Sequence, residues 1–456
     1  MASSDRGQWS SRFGFILAAA GSAIGLGNIW RFPYSAGEGG GGIFVLLYLF
    51  FVIAIGIPVQ FAELSVGRTT KRNPVGAFKA LAPKSFWPIV GGLGVLTGFG
   101  ILAFYSVIAG WTVGYLFQGI SGGLSSITTG EQSVSLFTDI TTDPLIAIGL
   151  TAVFLVLTVL VVRGGVAGGI ERIAKVLMPV LFVLLVVLAI TAMTLPGGMD
   201  GVSYLFAPDF SELSLSVVMS ALGQALFSLS LGMGAMITYG SYFPDDANLW
   251  QSGVFVGICD TVIAILAGLI IFPALFSQGM DPQGGPGLVF VTLPTIFSAM
   301  PAGQIVGTAF YFLLAIAALT STISLLEVVV CYFVDERGWS RTKAAWVLGS
   351  VCLVLAIPSA LSQGAVPALG ANGIFGAWDF LTLNNNIWGN YSLSIGAIMI
   401  CLFVGWKWGI PKAMEALELG NHPMPATSLW GFLVKFVCPI AVFIVLIFII
   451  VSGEYF

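Results

Sequence analysis

The stretch Gly21-Ser22-Ala23-Ile24-Gly25-Leu26-Gly27-Asn28-Ile29-Trp30-Arg31-Phe32-Pro33-Tyr34 is apolar on both sides, yet it holds a Gly-x-Gly at its centre and an arginine near its end. A second stretch, ALFSLSLGMGAMITYGSY at 225–242, repeats the pattern with Gly232-Met233-Gly234 and small or hydroxyl residues before it. One glycine pair in an apolar helix can simply mark close packing. Two pairs, in segments five helices apart, suggest an inverted repeat whose first helices are both interrupted. A break frees backbone N–H and C=O groups that hydrocarbon cannot satisfy. The freed N–H groups and half-helix N-termini favour an anion such as a carboxylate, and the freed carbonyls suit a hard cation such as sodium. An amino acid travelling with sodium supplies both.

The rest of the chain is consistent with a membrane setting. Of 456 residues, 17 are Lys or Arg and 21 Asp or Glu, which makes 8% charged, where soluble domains carry about 25%. Hydrophobic residues are 57% of the chain and mean hydropathy is +0.99. This excludes a soluble domain, and the scarcity of charge with abundant aromatics excludes disorder. No basic patch points to nucleic acid, and no GxxxxGK[ST] points to a P-loop pump. The one histidine, His422, cannot build a His-based metal site alone, and no nucleophile–base constellation suggests an enzyme. Cys259, Cys331, Cys352, Cys401 and Cys438 all lie in apolar runs and read as small packing residues. The N-terminus does not look like a cleaved signal, because its apolar run leads into a full-length segment.

Eleven spans are predicted, at 13–34, 43–66, 86–118, 144–162, 170–195, 215–242, 250–276, 304–334, 344–358, 387–408 and 429–451, numbered helices 1 to 11. With the N-terminus in the cytoplasm, sixteen of the seventeen basic residues fall inside, including Arg6, Arg12, Arg68, Lys175, Arg341 and Lys343, and the outer loops are acidic. The C-terminal Glu454 then lies outside. The exception is Arg31, which either snorkels to the outer interface or lines an aqueous vestibule. The chain reads as one transporter domain over 1–456, with repeats over about 10–195 and 214–409 and an appended helix at 429–451.

These motifs resemble the neurotransmitter:sodium symporter family. The resemblance rests on 21–34, on Phe104-Tyr105, on Gly223-Gln224-Ala225-Leu226-Phe227-Ser228-Leu229-Ser230 and on Ala317-Ala318-Leu319-Thr320-Ser321, and it spans nearly the whole chain. It implies an all-α polytopic membrane protein with a LeuT-type 5+5 inverted repeat, and Gly-Met-Gly with eleven helices resembles members carrying bulky hydrophobic and aromatic amino acids. By matching positions, a first sodium site takes Ala23, Asn28, Ser228 and Asp260. A second takes Gly21, Ile24, Ala317, Thr320 and Ser321, although the two hydroxyls could equally back-bond within helix 8. The implied substrate site comprises Ser22, Ala23, Gly25, Leu26, Gly27, Ile101, Tyr105, Phe227, Ser228, Ser230, Met233, Ser321, Ser324 and Leu325. Within it, Leu26 and Gly27 would offer N–H groups and Tyr105 its hydroxyl to the carboxylate. Met233 either adapts the pocket to different apolar shapes or fills a gap in the core. Glycine at position 25, where monoamine carriers place an Asp, leaves room for the substrate's own carboxylate.

Three acids lie within spans, where charge is expensive. Glu63 matches a glutamate that hydrogen-bonds the unwound backbone, and Glu327 has no assignable counterpart. Chloride-dependent relatives have Asn and Ser where this chain has Asp260 and Ala264, so a fixed carboxylate would replace chloride beside Tyr48, Gln224 and Ser228. The inner gate resembles an Arg6–Asp335 pair beside Trp9. The outer gate would use Arg31, Tyr105 and Phe227, but the helix 10 partner is Asn386, and the nearest acid, Asp379, is seven residues earlier. Gly169 and Pro179 resemble a Gly-x9-Pro motif at the start of helix 5, read as either a segment that unwinds or a static kink. The expected function is chloride-independent uptake of hydrophobic L-amino acids with two sodium ions across the cell inner (plasma) membrane. A GABA-like or betaine-like zwitterion, or a channel, are the competing readings.

Overall fold

A computed structural model describes residues 7–283 and 287–453. Among the described residues nine helices are long and apolar enough to cross a bilayer: Gly42–Thr70, Pro88–Ser121, Pro144–Val162, Val166–Met193, Leu249–Ser277, Gly303–Arg337, Arg341–Leu361, Phe380–Glu418 and Thr427–Ser452. These are helices 2 to 5 and 7 to 11. Helix 1 is a tenth, made of Arg12–Ala23 and Gly27–Glu38 bent by 51° at the break. Helix 6 is the eleventh, made of Leu215–Ser228 and Ala235–Ser241 with six unwound residues between them. The eleven predicted spans are therefore all present, with ends shifted by a few residues. Helix 9 runs through Pro358 to Leu361, and helix 10 runs from Phe380 to Glu418, well beyond 387–408.

Local sequence explains the ends. Ser11 caps helix 1 by accepting from the Gly14 N–H at 3.0 Å. Lys71 ends helix 2 in a left-handed conformation, and Gly122 and Gly338 do the same for helices 3 and 8. Asn73 then caps a short, largely buried helix, Pro74–Leu81, with proline at its first position.

The break in helix 6 is built from positive-φ residues, with Ser230 at φ 55°, Gly232 at 79° and Gly234 at 75°. Gly232 is required twice over, because a Cβ there would also run into the Leu393 carbonyl of helix 10. Glu63, fully buried in helix 2, accepts the freed Gly232 N–H at 2.6 Å, as the match to the family's glutamate implied.

Helices 3 and 8 pack most extensively on each other and form the centre with the two broken helices. Burial separates centre from rim: 89% of the apolar window of helix 8 is buried, against 33% of helix 5. Three short helices, Gly130–Thr142, Gly198–Phe206 and Leu288–Ala299, lie between spans. At the opposite end Glu327 accepts from the Tyr242 hydroxyl at 2.7 Å and pairs with Arg341, whose Nε donates to the Val162 carbonyl at 2.9 Å. One carboxylate thus ties helices 4, 6, 8 and 9 together. All five cysteines are free, four buried and Cys259 half-buried.

Candidate functional site

The unwound residues of helices 1 and 6 face each other across helices 3 and 8 and enclose a small cavity. Every residue of the fourteen implied for the substrate borders it except Leu26 and Ser228. The Leu26 side chain is buried elsewhere, but its N–H reaches the Tyr105 hydroxyl at 2.8 Å. Ser228 turns away into a polar cluster. One end of the cavity is backbone and hydroxyl, with Ser230 and Ser321 both donating to the Ser22 carbonyl at 2.9 and 3.2 Å. The other end is apolar, formed by Ile101, Phe227, Met233 and Leu325. Gly25 lets two hydroxyls close on the backbone: a Cβ there would lie 2.5 Å from the Tyr105 hydroxyl and would overlap the Ser321 hydroxyl.

The residues assigned to the first sodium site come together. Asn28 Nδ2 donates to Ser228 Oγ at 3.0 Å and to Asp260 Oδ1 at 2.7 Å. Ser228 donates to Asp260 Oδ2 at 2.6 Å, and Tyr48 donates to the same oxygen at 3.1 Å. The orientation of Asn28 differs from expectation. Its amide nitrogen faces Asp260, while its Oδ1 accepts the Gly25 N–H at 3.1 Å. With a carboxylate as neighbour the donating end of an amide is drawn toward it, and a cation would draw the oxygen instead. Asp260 is fully buried and engages two of the groups expected around a halide, Tyr48 and Ser228. The third, Gln224, donates to the Gly27 carbonyl at 2.7 Å.

The second set also converges. Thr320 Oγ1 lies 3.4 Å from the Ile24 carbonyl and 3.0 Å from that of Ala317, and Ser321 Oγ lies 3.3 Å from that of Ile24. Thr320 therefore does both things weighed above: it back-bonds within helix 8 and faces across to helix 1. Gly21 packs directly on Thr320 and on Met178. Pro179 borders an apolar cleft with Leu17, Ala20 and Cys259, and Gly169 lies in a π-helical turn, Val166–Glu171.

The gates are only partly as expected. Arg6 lies outside the described residues. Asp335 accepts from the backbone and side chain of Asn73, both at 3.0 Å. Trp9 donates its indole N–H to the Tyr239 carbonyl at 3.0 Å and packs edge-on against Tyr239 and Tyr242. On the other side the Arg31 guanidinium sits 4.3 Å over the Phe227 ring. Among the described residues no acid pairs with Arg31. Asp379 caps its own helix at Thr382 and takes Gln363, and Asn386 is buried, accepting from Asn390 at 3.3 Å.

Asn73 with Asp335 and Arg341 with Glu327 are among the constellations that escaped sequence reasoning. Asn73 could have been found from its Asn-Pro dipeptide, a helix-start signal. Arg341 gave no signal, because its partner lies on another helix.

The sequence profile of the Sodium:neurotransmitter symporter family matches residues 6–140 and 131–455. The chain belongs to that family. An uncharacterized sodium-dependent transporter of Bacillus subtilis is 38% identical over 96% of this chain and 96% of its own length. One from Haemophilus influenzae is 36% identical over 97% and 98%. Among solved structures, MhsT in complex with L-phenylalanine is 46% identical over 97% of this chain and 99% of that one, with a TM-score of 0.88. The protein is a polytopic, sodium-dependent membrane transporter of LeuT-type fold with broken helices 1 and 6, and not an enzyme.

Proposed function

We propose that this transporter takes up hydrophobic L-amino acids, aliphatic and aromatic, with two sodium ions and without chloride, by alternating access. The observation that carries this is the cavity itself, which offers backbone and hydroxyls at one end, apolar walls at the other, and a glycine where a fixed carboxylate would otherwise stand. The substrate carboxylate would sit near Gly25, reached by the N–H groups of Leu26 and Gly27 and by Tyr105. The carbonyls of Ala23, Phe227 and Ser230 would take the ammonium. The side chain would lie against Ile101, Phe227, Met233, Ser324 and Leu325. The match to a protein crystallised with L-phenylalanine supports this size class.

Sodium would bind first among Ala23, Asn28, Ser228 and Asp260, after the Asn28 amide turns its oxygen inward. It would bind second among the carbonyls of Gly21, Ile24 and Ala317 and the hydroxyls of Thr320 and Ser321. Asp260 supplies the negative charge that chloride would otherwise bring. The repeats run over about 10–195 and 214–409, in the cell inner (plasma) membrane, with the N-terminus cytoplasmic and the C-terminus extracellular. Arg31, Phe227 and Asn386 close the outer side, and Trp9 and Asp335 close the inner.

The test is equilibrium binding of radiolabelled leucine and tryptophan to purified protein in NaCl, sodium gluconate and KCl. Binding in both sodium salts and not in KCl is expected. Binding only in NaCl would overturn the chloride reading, and no binding in any salt would overturn the substrate reading.

A further inference from the structure

The segment before helix 1 is held by one carboxylate of helix 5. Glu171 closes the π-helical turn Val166–Glu171 and is 1% exposed. Its Oε2 accepts the Ser10 N–H at 2.7 Å, and its Oε1 accepts the hydroxyls of Ser10 at 2.6 Å and Ser11 at 3.2 Å. Lys175, one turn on, pairs with Glu171 at 2.7 Å and donates to Ser10 Oγ at 3.2 Å. The fit is built into both helices, because a Cβ at Gly14 would overlap the Glu171 carboxylate. Residue 11 is also the cap of helix 1, and residue 9 is the tryptophan seated against helix 6. Glu171 thus holds the inner end of helix 1 from one side while helix 6 holds it from the other.

The turn that carries Glu171 is rich in glycine. It is entered through Gly164 and Gly165, the latter at φ 83°, and it contains Gly168 and Gly169. Glycines lower the cost of leaving a helix, and π turns cluster at functional sites.

We infer that Glu171 is a positioning residue that couples unwinding of the first turns of helix 5 to release of the cytoplasmic half of helix 1. The inference rests on reading residues 169–179 as a segment that unwinds. When the turn around Gly168 and Gly169 opens, the carboxylate withdraws. Ser10 and Ser11 then lose all three of their bonds to it together, and helix 1 is left to its contacts with helices 6, 7 and 8, among them the bonds from Arg12 to Ser252 at 3.0 Å and to Gln251 at 3.1 Å. Water reaching the second sodium site and the freeing of helix 1 become one event.

The test is amide hydrogen–deuterium exchange on the purified full chain. Peptides covering 8–15 and 164–173 are followed in sodium with L-phenylalanine and in potassium. In wild type both are expected to exchange at least about tenfold faster in potassium. In Glu171→Gln, peptide 8–15 should exchange in sodium as it does in potassium, while 164–173 keeps its sodium protection. The half-saturating sodium concentration for phenylalanine binding should rise several-fold. The variant Ser10→Ala, which leaves helix 5 and the Ser11 cap untouched and removes the Ser10 hydroxyl bond to Glu171, should show the same separation in smaller measure, and it carries the test if Glu171→Gln does not fold. Sodium protection of 8–15 retained in either folded variant would overturn the coupling. A wild-type peptide 164–173 indifferent to the choice of cation would instead overturn the unwinding of helix 5 on which the coupling depends.

Discussion

Under the proposed function, two single residues, Asp260 and Gly25, decide what this transporter carries and what it needs. Asp260 is fully buried and accepts from Asn28, Ser228 and Tyr48. In Asp260→Asn the negative charge is gone while the cluster keeps its shape, so a halide is expected to take its place. Phenylalanine binding should fall at least tenfold in sodium gluconate and recover in NaCl; a variant equally active in both salts would contradict the role given to the carboxylate. At Gly25 the added methyl of Gly25→Ala would meet the hydroxyls of Tyr105 and Ser321. Overpacking costs about 1–3 kcal/mol, so titration with labelled leucine should show binding weakened by roughly one to two orders of magnitude. Gly25 was legible in the sequence because it stands within the helix 1 motif, and Asp260 through the position it matches in the family. The orientation of Asn28 was not, because an amide turns according to the charge that the fold brings next to it.

Two predictions belong to elements. Pro179 lies inside helix 5, about three turns beyond the Gly168–Gly169 pair, and removes a backbone hydrogen bond from the turn before it. Pro179→Ala restores that bond. In proteoliposomes it should slow sodium release and turnover while equilibrium amino-acid binding holds; unchanged turnover would make the proline a static kink. Glu327 gathers helices 4, 6, 8 and 9 through Tyr242 and Arg341. Truncating one partner of a buried pair typically costs about 3–5 kcal/mol. Glu327→Ala should lower the melting temperature clearly, and removing the now unpaired charge in Glu327→Ala/Arg341→Met should recover part of the loss. The acid was visible within an apolar helix, but its partner was not. The arginine follows a loop and read only as one more cytoplasmic charge.

At the scale of the whole molecule the prediction is orientation. Sixteen of seventeen basic residues fall on one side when the eleven spans are threaded from a cytoplasmic N-terminus. In a cysteine-free background and right-side-out vesicles, a membrane-impermeant maleimide should label Glu131→Cys at once. It should label Lys343→Cys only after permeabilisation. Both positions are exposed in the structure, so the reverse pattern would invert the topology.

Class, span number and the two breaks were determined by the sequence alone, while the lining of the central cavity came from the resemblance to the family. The reason is that hydropathy is read over a window of about 20 residues, and a broken helix announces itself by the glycines its backbone needs. Tertiary structure alone decided the pairings. Ser10 meets Glu171 across 161 positions and Asn73 meets Asp335 across 262, separations at which no periodicity links the partners. It also decided that Asp379 stays with its own helix and leaves Arg31 over Phe227. A side chain near a helix start has local donors within reach, and only the packed arrangement determines whether they or a distant charge claim it.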